Sequence, residues 1–436
     1  MKFHLIAYAL ALAVLAGCAS NAGGGGSAST SALLPAGGSP VSYQYTVEAL
    51  DPLGGTLAGA NSINNQNWAS GISTLTSGSY FHAALWENGG AAMDLGTLGG
   101  PNSGVEWPNK SDRGLIAGIS ETSAPQKLGE IWSCALAFFP QPPSGHICLG
   151  FAWRNGAMSA LPTLGGNNGF AAGANEHGDI VGWAETRKHD STCTPPQVLQ
   201  FEAVRYDGNG RHPKELRPLR GDSDGAATEI NDRGDVVGIS GICDQAVGRF
   251  TARHAVMWHG NKPVDLGSLG GVAWNTPMAI NDRGVIVGFS DLTGDSTGTP
   301  NFHAFLWTKK TGMQDLGTLP GDTYSEALGV NEAGQVVGES FSASSARAFI
   351  WQNGTMTDLN TLIPPSSGLY LLYANDVNDQ GDIAGGACVV VSDACSSSQP
   401  AYVATPTGSA ARVSRAVKKP ALPPALLRLL HRRAIP

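Results

Sequence analysis

The side chains of this chain best suited to chemistry are two aromatics and three aspartates in the middle of the sequence. Trp274, Tyr324 and Asp224 each stand six positions before the last residue of a similar apolar segment, and Asp222 and Asp322 lie beside them. Aromatic faces next to carboxylates can hold a sugar or a peptide. We therefore predict these five as ligand-binding residues; the alternative is that they are ordinary loop residues.

Paired carboxylates also raise the question of catalysis. Two of them about 5–10 Å apart would suit a glycosidase. The sequence shows no Asp box, no Ser-x-Gly nucleophile elbow and no His/Asp set. We predict no catalytic residues and favour a binding or interaction module for a glycan or a protein. An extracytoplasmic hydrolase or lyase that acts on polysaccharide at a channel mouth is the alternative.

Three histidines, His82, His254 and His303, recur at one position of a repeated pattern. Side chains at one position of successive repeats point around a ring and do not converge on a metal or a substrate. A structural hydrogen bond between strands or blades explains them better than chemistry near neutral pH. No cysteine or histidine spacing suits zinc, and no helix follows the Gly-Gly corners to make a phosphate loop. We expect no metal and no cofactor.

The elements that must position these residues are repeats of one hairpin. Its clearest copy is Ala279–Ser290, in which Asn281 and Asp282 can bond the turn backbone and Gly284 supplies a positive φ. Seven copies of this hairpin occur, at 62–73, 109–120, 173–184, 229–240, 279–290, 329–340 and 376–387.

Two more strands follow each hairpin. The third carries the Trp-containing or related apolar pattern, at 82–86, 151–153, 203–206, 254–258, 303–307, 348–351 and 401–405. A fourth strand with a glycine corner follows six of these, at 93–100, 159–166, 214–221, 264–271, 313–321 and 357–362. The seventh fourth strand stands at the front of the chain, at 45–50.

Four antiparallel strands in repeats of roughly 40–50 residues are typical of propeller blades. The offset at the ends favours a closed ring, because the first strand can complete the blade begun by 370–405. The sequence thus predicts an all-β, seven-bladed β-propeller of four-stranded antiparallel blades, closed by its N-terminal strand. The variable connections between second and third strands would share one face, where we expect any site.

The repeats resemble those of the HAF-repeat family, extracellular proteins named for the triplet seen here at His303, Ala304 and Phe305. The resemblance runs from about residue 45 to 405. It implies an exported repeat protein and implies no activity. The pattern departs at Lys110-Ser111, and the histidine is replaced at Gly150 and Glu202.

The N-terminus carries an export signal. An apolar run too short for a permanent membrane span ends in Leu15-Ala16-Gly17-Cys18. This segment resembles a bacterial lipobox, which implies cleavage before Cys18 and lipidation of Cys18; the alternative is an ordinary signal. Ala19 favours the outer membrane, with a periplasmic or cell-surface location. We predict a lipoprotein signal peptide at 1–17 and a flexible Gly/Ser/Ala tether at 18–42, with the propeller at 43–406.

Six cysteines remain besides Cys18, an even number that favours disulfides in an oxidising compartment. All six lie in connections between second and third strands. Fifteen connectivities are possible in principle. Proximity favours the bonds Cys134–Cys148 and Cys388–Cys395, which leaves Cys193–Cys243 between neighbouring units.

The C-terminal residues 407–436 hold seven Lys or Arg and no Asp or Glu. The rest of the chain is acidic, with 20 basic against 35 acidic residues, which argues against a nucleic-acid partner. We predict a basic disordered tail; a short amphipathic helix at an anionic surface is the alternative. We expect a monomer that contacts the membrane through its lipid anchor.

Overall fold

Seven antiparallel sheets arise from the repeated hairpin. The computed structural model describes residues 43–130, 139, 143–208, 210, 212–244, 247–410, 419–427 and 430. The predicted signal peptide, the tether and Cys18 lie outside these residues.

The chain enters with β1 (Tyr43–Leu50) and then builds its blades in order. The strands of blades one to three are β2 (Gly54–Ile63), β3 (Trp68–Leu75), β4 (Phe81–Glu87), β5 (Met93–Asp94), β6 (Gly99–Gly104), β7 (Ile116–Pro125), β8 (His146–Arg154), β9 (Ala157–Ala160), β10 (Gly169–Ala174), β11 (Ile180–His189), β12 (Leu199–Tyr206) and β13 (Pro213–Leu216). Those of blades four and five are β14 (Asp224–Ile230), β15 (Asp235–Gly241), β16 (His254–His259), β17 (Lys262–Asp265), β18 (Thr276–Ile280), β19 (Ile286–Asp291), β20 (Phe302–Thr308) and β21 (Gly312–Gly317).

Blade six consists of β22 (Tyr324–Val330), β23 (Val336–Ser342), β24 (Ser345–Gln352) and β25 (Thr355–Asp358). Two single-turn 3-10 helices, Leu359–Thr361 and Pro365–Ser367, lead into blade seven. Blade seven consists of β26 (Leu369–Val377), β27 (Ile383–Val391), the short β28 (Ala394–Cys395) and β29 (Ala401–Ala410), with β1 added as its outer strand.

The ring closes as predicted. β1 pairs antiparallel with β29, with Val47 opposite Ala404 and Glu48 opposite Val403. Every sheet keeps the order first, second, third and fourth strand, and the first strands of blades three to seven and of blade one contact one another in turn. The first strands therefore line the centre, and the seven-bladed propeller is confirmed.

The first two strands of a blade approach each other closely, which explains why the second strand carries a glycine after its valine. In blade five this glycine is Gly288. A β-bulge lies between Pro277 and Ala279. A Cβ on Gly288 would sit 2.1 Å from the carbonyl oxygen of Thr276, which no side chain tolerates. Gly284 has φ +77° in the preceding turn, as predicted from its place in the sequence.

Hydrophobic clusters fill the spaces between neighbouring blades. One of them joins Val237 and Leu266 of blade four to Ile286 and Phe305 of blade five, with Trp307 packed against it. The indole N–H of Trp258 donates to the carbonyl of Arg217 at 2.7 Å. These contacts pack the tryptophan strand of one blade against the neighbouring blade.

Antiparallel order puts the turns between first and second strands on one face, here called the turn face. The connections between second and third strands lie on the other, here called the loop face. At the C-terminus the structure differs from the predicted tail. β29 continues to Ala410, and residues 419–427 and 430, here called the C-terminal segment, include a helical turn at 424–427.

Candidate functional site

The turn face carries a ring of asparagines that joins the blades. Asn281 Oδ1 accepts from the backbone N–H groups of Val285 at 2.9 Å and Arg283 at 3.1 Å. Its Nδ2 donates to the carbonyl of Asn331 in the next blade at 2.9 Å. The same bond to the next blade recurs at Asn64, Asn175, Asn231, Asn331 and Asn378.

A second ring uses the residue after each of these positions. The N–H of Asp232 donates to Asp282 Oδ1 at 2.8 Å, and the N–H of Asp282 donates to Glu332 at 2.6 Å. The pattern closes through all seven blades, with members Asn65, Asp112, Glu176, Asp232, Asp282, Glu332 and Asp379. These side chains bond the turn backbone of the neighbouring blade, so Asp282, which we predicted to bond its own turn, bonds the turn of blade four instead.

A cavity of about 90 Å³ lies inside these rings. Aliphatic side chains of the first strands line it, among them Ile63, Ile230 and Val377. Ligand pockets usually measure about 300–1,000 Å³, so this space suits a few water molecules and is too small for a sugar chain. It lies at the turn face, opposite the loop face on which we expected a site.

Lys110 breaks the aliphatic pattern of the cavity wall. Its ammonium donates to Asp376 Oδ1 and, at 3.1 Å, to the carbonyl of Val377. Burial raises the pKa of Asp376, an effect that Lys110 opposes. Glu229 faces the same charges, and burial raises the pKa of its carboxyl well above the usual value. Lys110 thus acts as an internal counter-ion among buried acids.

The loop face of blades five to seven gathers large aromatic side chains into one cluster. Its members, here called the aromatic cluster, are Trp274, Phe289, Phe302, Tyr324, Phe341, Tyr370 and Tyr373. The rings of Phe302 and Tyr324 lie 5.5 Å apart between centroids, and those of Tyr324 and Phe341 lie 5.3 Å apart. The structure therefore brings the two predicted ligand aromatics, Trp274 and Tyr324, into one place.

The C-terminal segment covers this cluster. Leu426 and Leu430 belong to the same apolar core and are 3% and 4% exposed. Trp274 is itself 6% exposed, and its indole N–H donates to the carbonyl of Gly298 at 3.1 Å. Tyr324 remains partly exposed.

Asp322 lies at the same end of the propeller and touches the covering segment. Arg347 donates to its Oδ2 at 2.6 Å, and Ser345 donates to its Oδ1 at 2.7 Å. The ammonium of Lys419 lies 3.9 Å from Oδ1. Burial lowers the pKa of Arg347, but the negative charges of Asp322 and then Asp358 raise it by more. The pKa of Arg347 is therefore raised overall.

Asp222 and Asp224 lie apart from the aromatic cluster, in blade four. Ser240 donates to Asp222 at 2.6 Å. Asp224 is fully buried and accepts from the N–H of Phe201 at 2.9 Å and from Ser223 at 2.5 Å. Burial raises the pKa of Asp224 to about 6. The five predicted residues are thus divided between two regions, and their ligand role stays a prediction.

The structure adds one acid that the site prediction missed. Glu202 of blade three holds the position of the repeated histidine and is buried. Burial, with Glu215 and Asp224, raises its pKa to about 9. The interruption of the histidine pattern was the available signal. It showed an unusual residue but did not show that acids surround it.

The repeated histidines pair within their blades. His82 Nδ1 lies 2.9 Å from Asp94 and His303 Nδ1 lies 3.0 Å from Asp315, while His254 Nδ1 lies 3.3 Å from Asp265. Each pair joins the third strand to the fourth, as predicted for a structural role. Among the described residues, no group of three or more His, Cys, Asp or Glu is arranged to hold a metal.

Two predicted disulfides are present on the loop face. Cys193 pairs with Cys243, which joins blades three and four, and Cys388 pairs with Cys395 within blade seven. Cys148 is disulfide-bonded, while Cys134 lies outside the described residues. The disulfides favour an oxidising, extracytoplasmic compartment. The described helices include none with the length and apolar character of a membrane span.

No protein-family description and no curated protein matches this sequence. The resemblance to the HAF-repeat family therefore stays a prediction.

Solved β-propeller structures resemble the chain in shape. The β-propeller domain of the trilobed protease from Pyrococcus furiosus is 10% identical, with a TM-score of 0.46 over 86% of this chain and 97% of that one. An acylaminoacyl peptidase is 8% identical, with a TM-score of 0.47 over 85% of this chain and 52% of that one. An oligogalacturonate lyase is 11% identical, with a TM-score of 0.43 over 84% and 91%. These low similarities indicate nothing about activity.

Proposed function

We propose that this chain is an exported β-propeller, anchored at the cell envelope by a lipid on Cys18, that acts as a binding module for a glycan or a protein. The aromatic cluster on the loop face supports this proposal. Seven aromatic side chains gather where a terminal segment, rather than a strand of a blade, covers them. The cluster lies near the ends of strands at the face that carries the variable connections, and such faces of a rigid scaffold commonly serve recognition.

Partly exposed Tyr324 offers a test of binding. The lipid-free protein is applied to glycan and peptide arrays, and the same polysaccharides are screened for breakdown. We expect binding without turnover and a loss of at least tenfold in affinity for Tyr324→Ala. Tyr80→Ala, which changes a tyrosine that is 46% exposed on another blade, is the matched control. No bound ligand, or equal loss in both variants, would reject the aromatic cluster as the site.

The envelope location has its own test. The disulfides support an extracytoplasmic location. The lipobox-like segment Leu15–Cys18 supports an outer-membrane lipoprotein on the periplasmic or cell-surface side. We expect Cys18→Ser to move the protein from the membrane fraction to the soluble fraction. Unchanged fractionation would argue against the lipid anchor.

One observation favours the hydrolase or lyase alternative. Burial, and then the carboxylates of Glu215 and Asp224, raises the pKa of Glu202 to about 9, whereas burial raises that of Asp224 to about 6. Carboxyl groups with separated pKa values are typical of acid–base pairs. If the chain breaks down a polysaccharide, Glu202→Gln should abolish turnover and preserve binding. Turnover that persists in this variant would exclude Glu202 as the acid.

A further inference from the structure

The C-terminal segment presents leucines along one side. Leu422, Leu426 and Leu430 are spaced by four residues. Leu422 precedes the helical turn at 424–427, and the spacing of Leu426 and Leu430 is the one that places side chains on one face of a helix. All three pack with the aromatic cluster. The N–H of Leu427 donates to the carbonyl of Pro423 at 3.1 Å, while Ala425 on the same turn is exposed. The segment is therefore amphipathic, with its apolar face on the propeller.

A short backbone contact sets the start of this segment. The N–H of Cys395 donates to the carbonyl of Ala421 at 3.0 Å, and the N–H of Ala421 donates to the carbonyl of Asp393 at 3.0 Å. The Cys388–Cys395 disulfide holds this loop. Lys419 adds the long contact to Asp322 at 3.9 Å, with a side chain that is 45% exposed, so its ion pair contributes little.

The propeller does not need the segment to complete a blade. Each sheet has its four strands without it, and β1 already covers the edge of blade seven. An isolated helix shorter than about 12 residues is marginal in water. The aromatic cluster therefore orders the helical turn, as a groove orders an amphipathic peptide that binds it.

We propose that the aromatic cluster is a binding site for an amphipathic helical peptide with leucines four residues apart, and that the C-terminal segment is its resident, displaceable occupant. The inference rests on the proposed binding function and names its ligand as a protein segment. A partner helix of the same pattern binds by displacing the chain's own leucines.

Competition between segments gives the test. A fluorescent peptide of residues 419–436 is titrated against the lipid-free protein carrying Leu426→Asp and Leu430→Asp, which expels the resident segment. We expect micromolar binding to this variant. A tethered competitor at roughly millimolar effective concentration should weaken binding to the wild-type protein about 100-fold. Ala425→Asp, on the exposed side of the same turn, should behave as wild type.

Three results would overturn the proposal: no peptide binding to a folded Leu426→Asp/Leu430→Asp protein, equal binding to wild type, or loss of cooperative unfolding in that variant. A peptide with both leucines replaced by Asp should not bind. If the peptide binds as expected while the arrays show no ligand, the site stands and the broader binding function fails. If an array ligand binds while the peptide does not, the binding function stands and the helical-peptide site fails.

Discussion

The ammonium of Lys110 on blade two hydrogen-bonds the carboxylate of Asp376 on blade seven, 266 residues away in sequence. Asp376 Oδ2 also accepts from the N–H of Ile63 on blade one, at 2.9 Å. The pair therefore connects three blades at the point where the ring closes. Asp376 is fully buried, so its charge depends on these partners.

Lys110→Met should destabilise the protein by about 3 kcal/mol, because removal of one partner leaves a buried carboxylate unpaired. Urea unfolding at pH 7 measures the change. The same substitution in an Asp376→Asn background should cost much less, and Lys262→Met, at an exposed lysine, should cost almost nothing. Equal costs in both backgrounds would show that the pair is not coupled.

Asn281→Ala should cost about 2 kcal/mol, because it leaves buried backbone groups in its own turn and in the next blade without partners. Asn281 is 5% exposed. Thermal and urea unfolding, set beside Asn301→Ala in an exposed loop, measure the effect. A change no larger than that of the control would mean that the asparagine ring does not stabilise the assembly.

Glu202 should make stability fall as pH rises. Burial, with the nearby acids Glu215 and Asp224, raises the pKa of Glu202 to about 9 from 4.5. Between these values the folded protein holds a proton that the unfolded chain has released. Stability is therefore greater at low pH and is lost as pH rises through this window.

Glu202→Gln should remove up to about 1.4 kcal/mol of this decline per pH unit. The variant should exceed the wild-type protein in free energy of unfolding most near pH 8 and not at all near pH 4. Urea unfolding across that range measures the difference. Glu87→Gln, at an exposed glutamate, should leave the slope unchanged. A parallel pH profile for Glu202→Gln and wild type would contradict proton retention at Glu202.

The two disulfides should contribute different amounts to the free energy of unfolding. Cys193 and Cys243 are 50 residues apart, and Cys388 and Cys395 are 7 apart. The chain-entropy relation gives about 4 kcal/mol for the longer loop and about 2.5 kcal/mol for the shorter one. Paired Cys→Ser variants under denaturant measure both losses, and a larger loss for the shorter loop would reverse this ranking.

The repeat could be predicted from the sequence because it depends on interactions between residues close together in the chain. The Asn-Asp turn, the glycine with positive φ at Gly284 and the β-branched strand after it depend on neighbours within a dozen residues. The structural role of the repeated histidines could be predicted for the same reason. The structural role of His303 was predicted from its place in the repeat, whereas its partner on the adjacent strand, Asp315, was identified only in the structure.

Contacts between blades were harder to infer. Ile63, Lys110 and Ile230 occupy one repeat position, yet only the ring geometry shows that the lysine reaches Asp376. The raised pKa of Glu202 likewise depends on acids gathered from several segments of the chain. Composition also predicts a disordered tail, because a short helix is marginal on its own. The leucine face of the C-terminal segment is buried only because the aromatic cluster lies beneath it.

The sequence by itself determined the seven repeats, the four strands of each and the offset that closes the ring, because turn chemistry and strand alternation act over short distances. The tertiary structure decided which side chains meet across blades, which acids retain protons and what covers the loop face. Burial and distance control those properties, and both arise only when separate repeats are brought together.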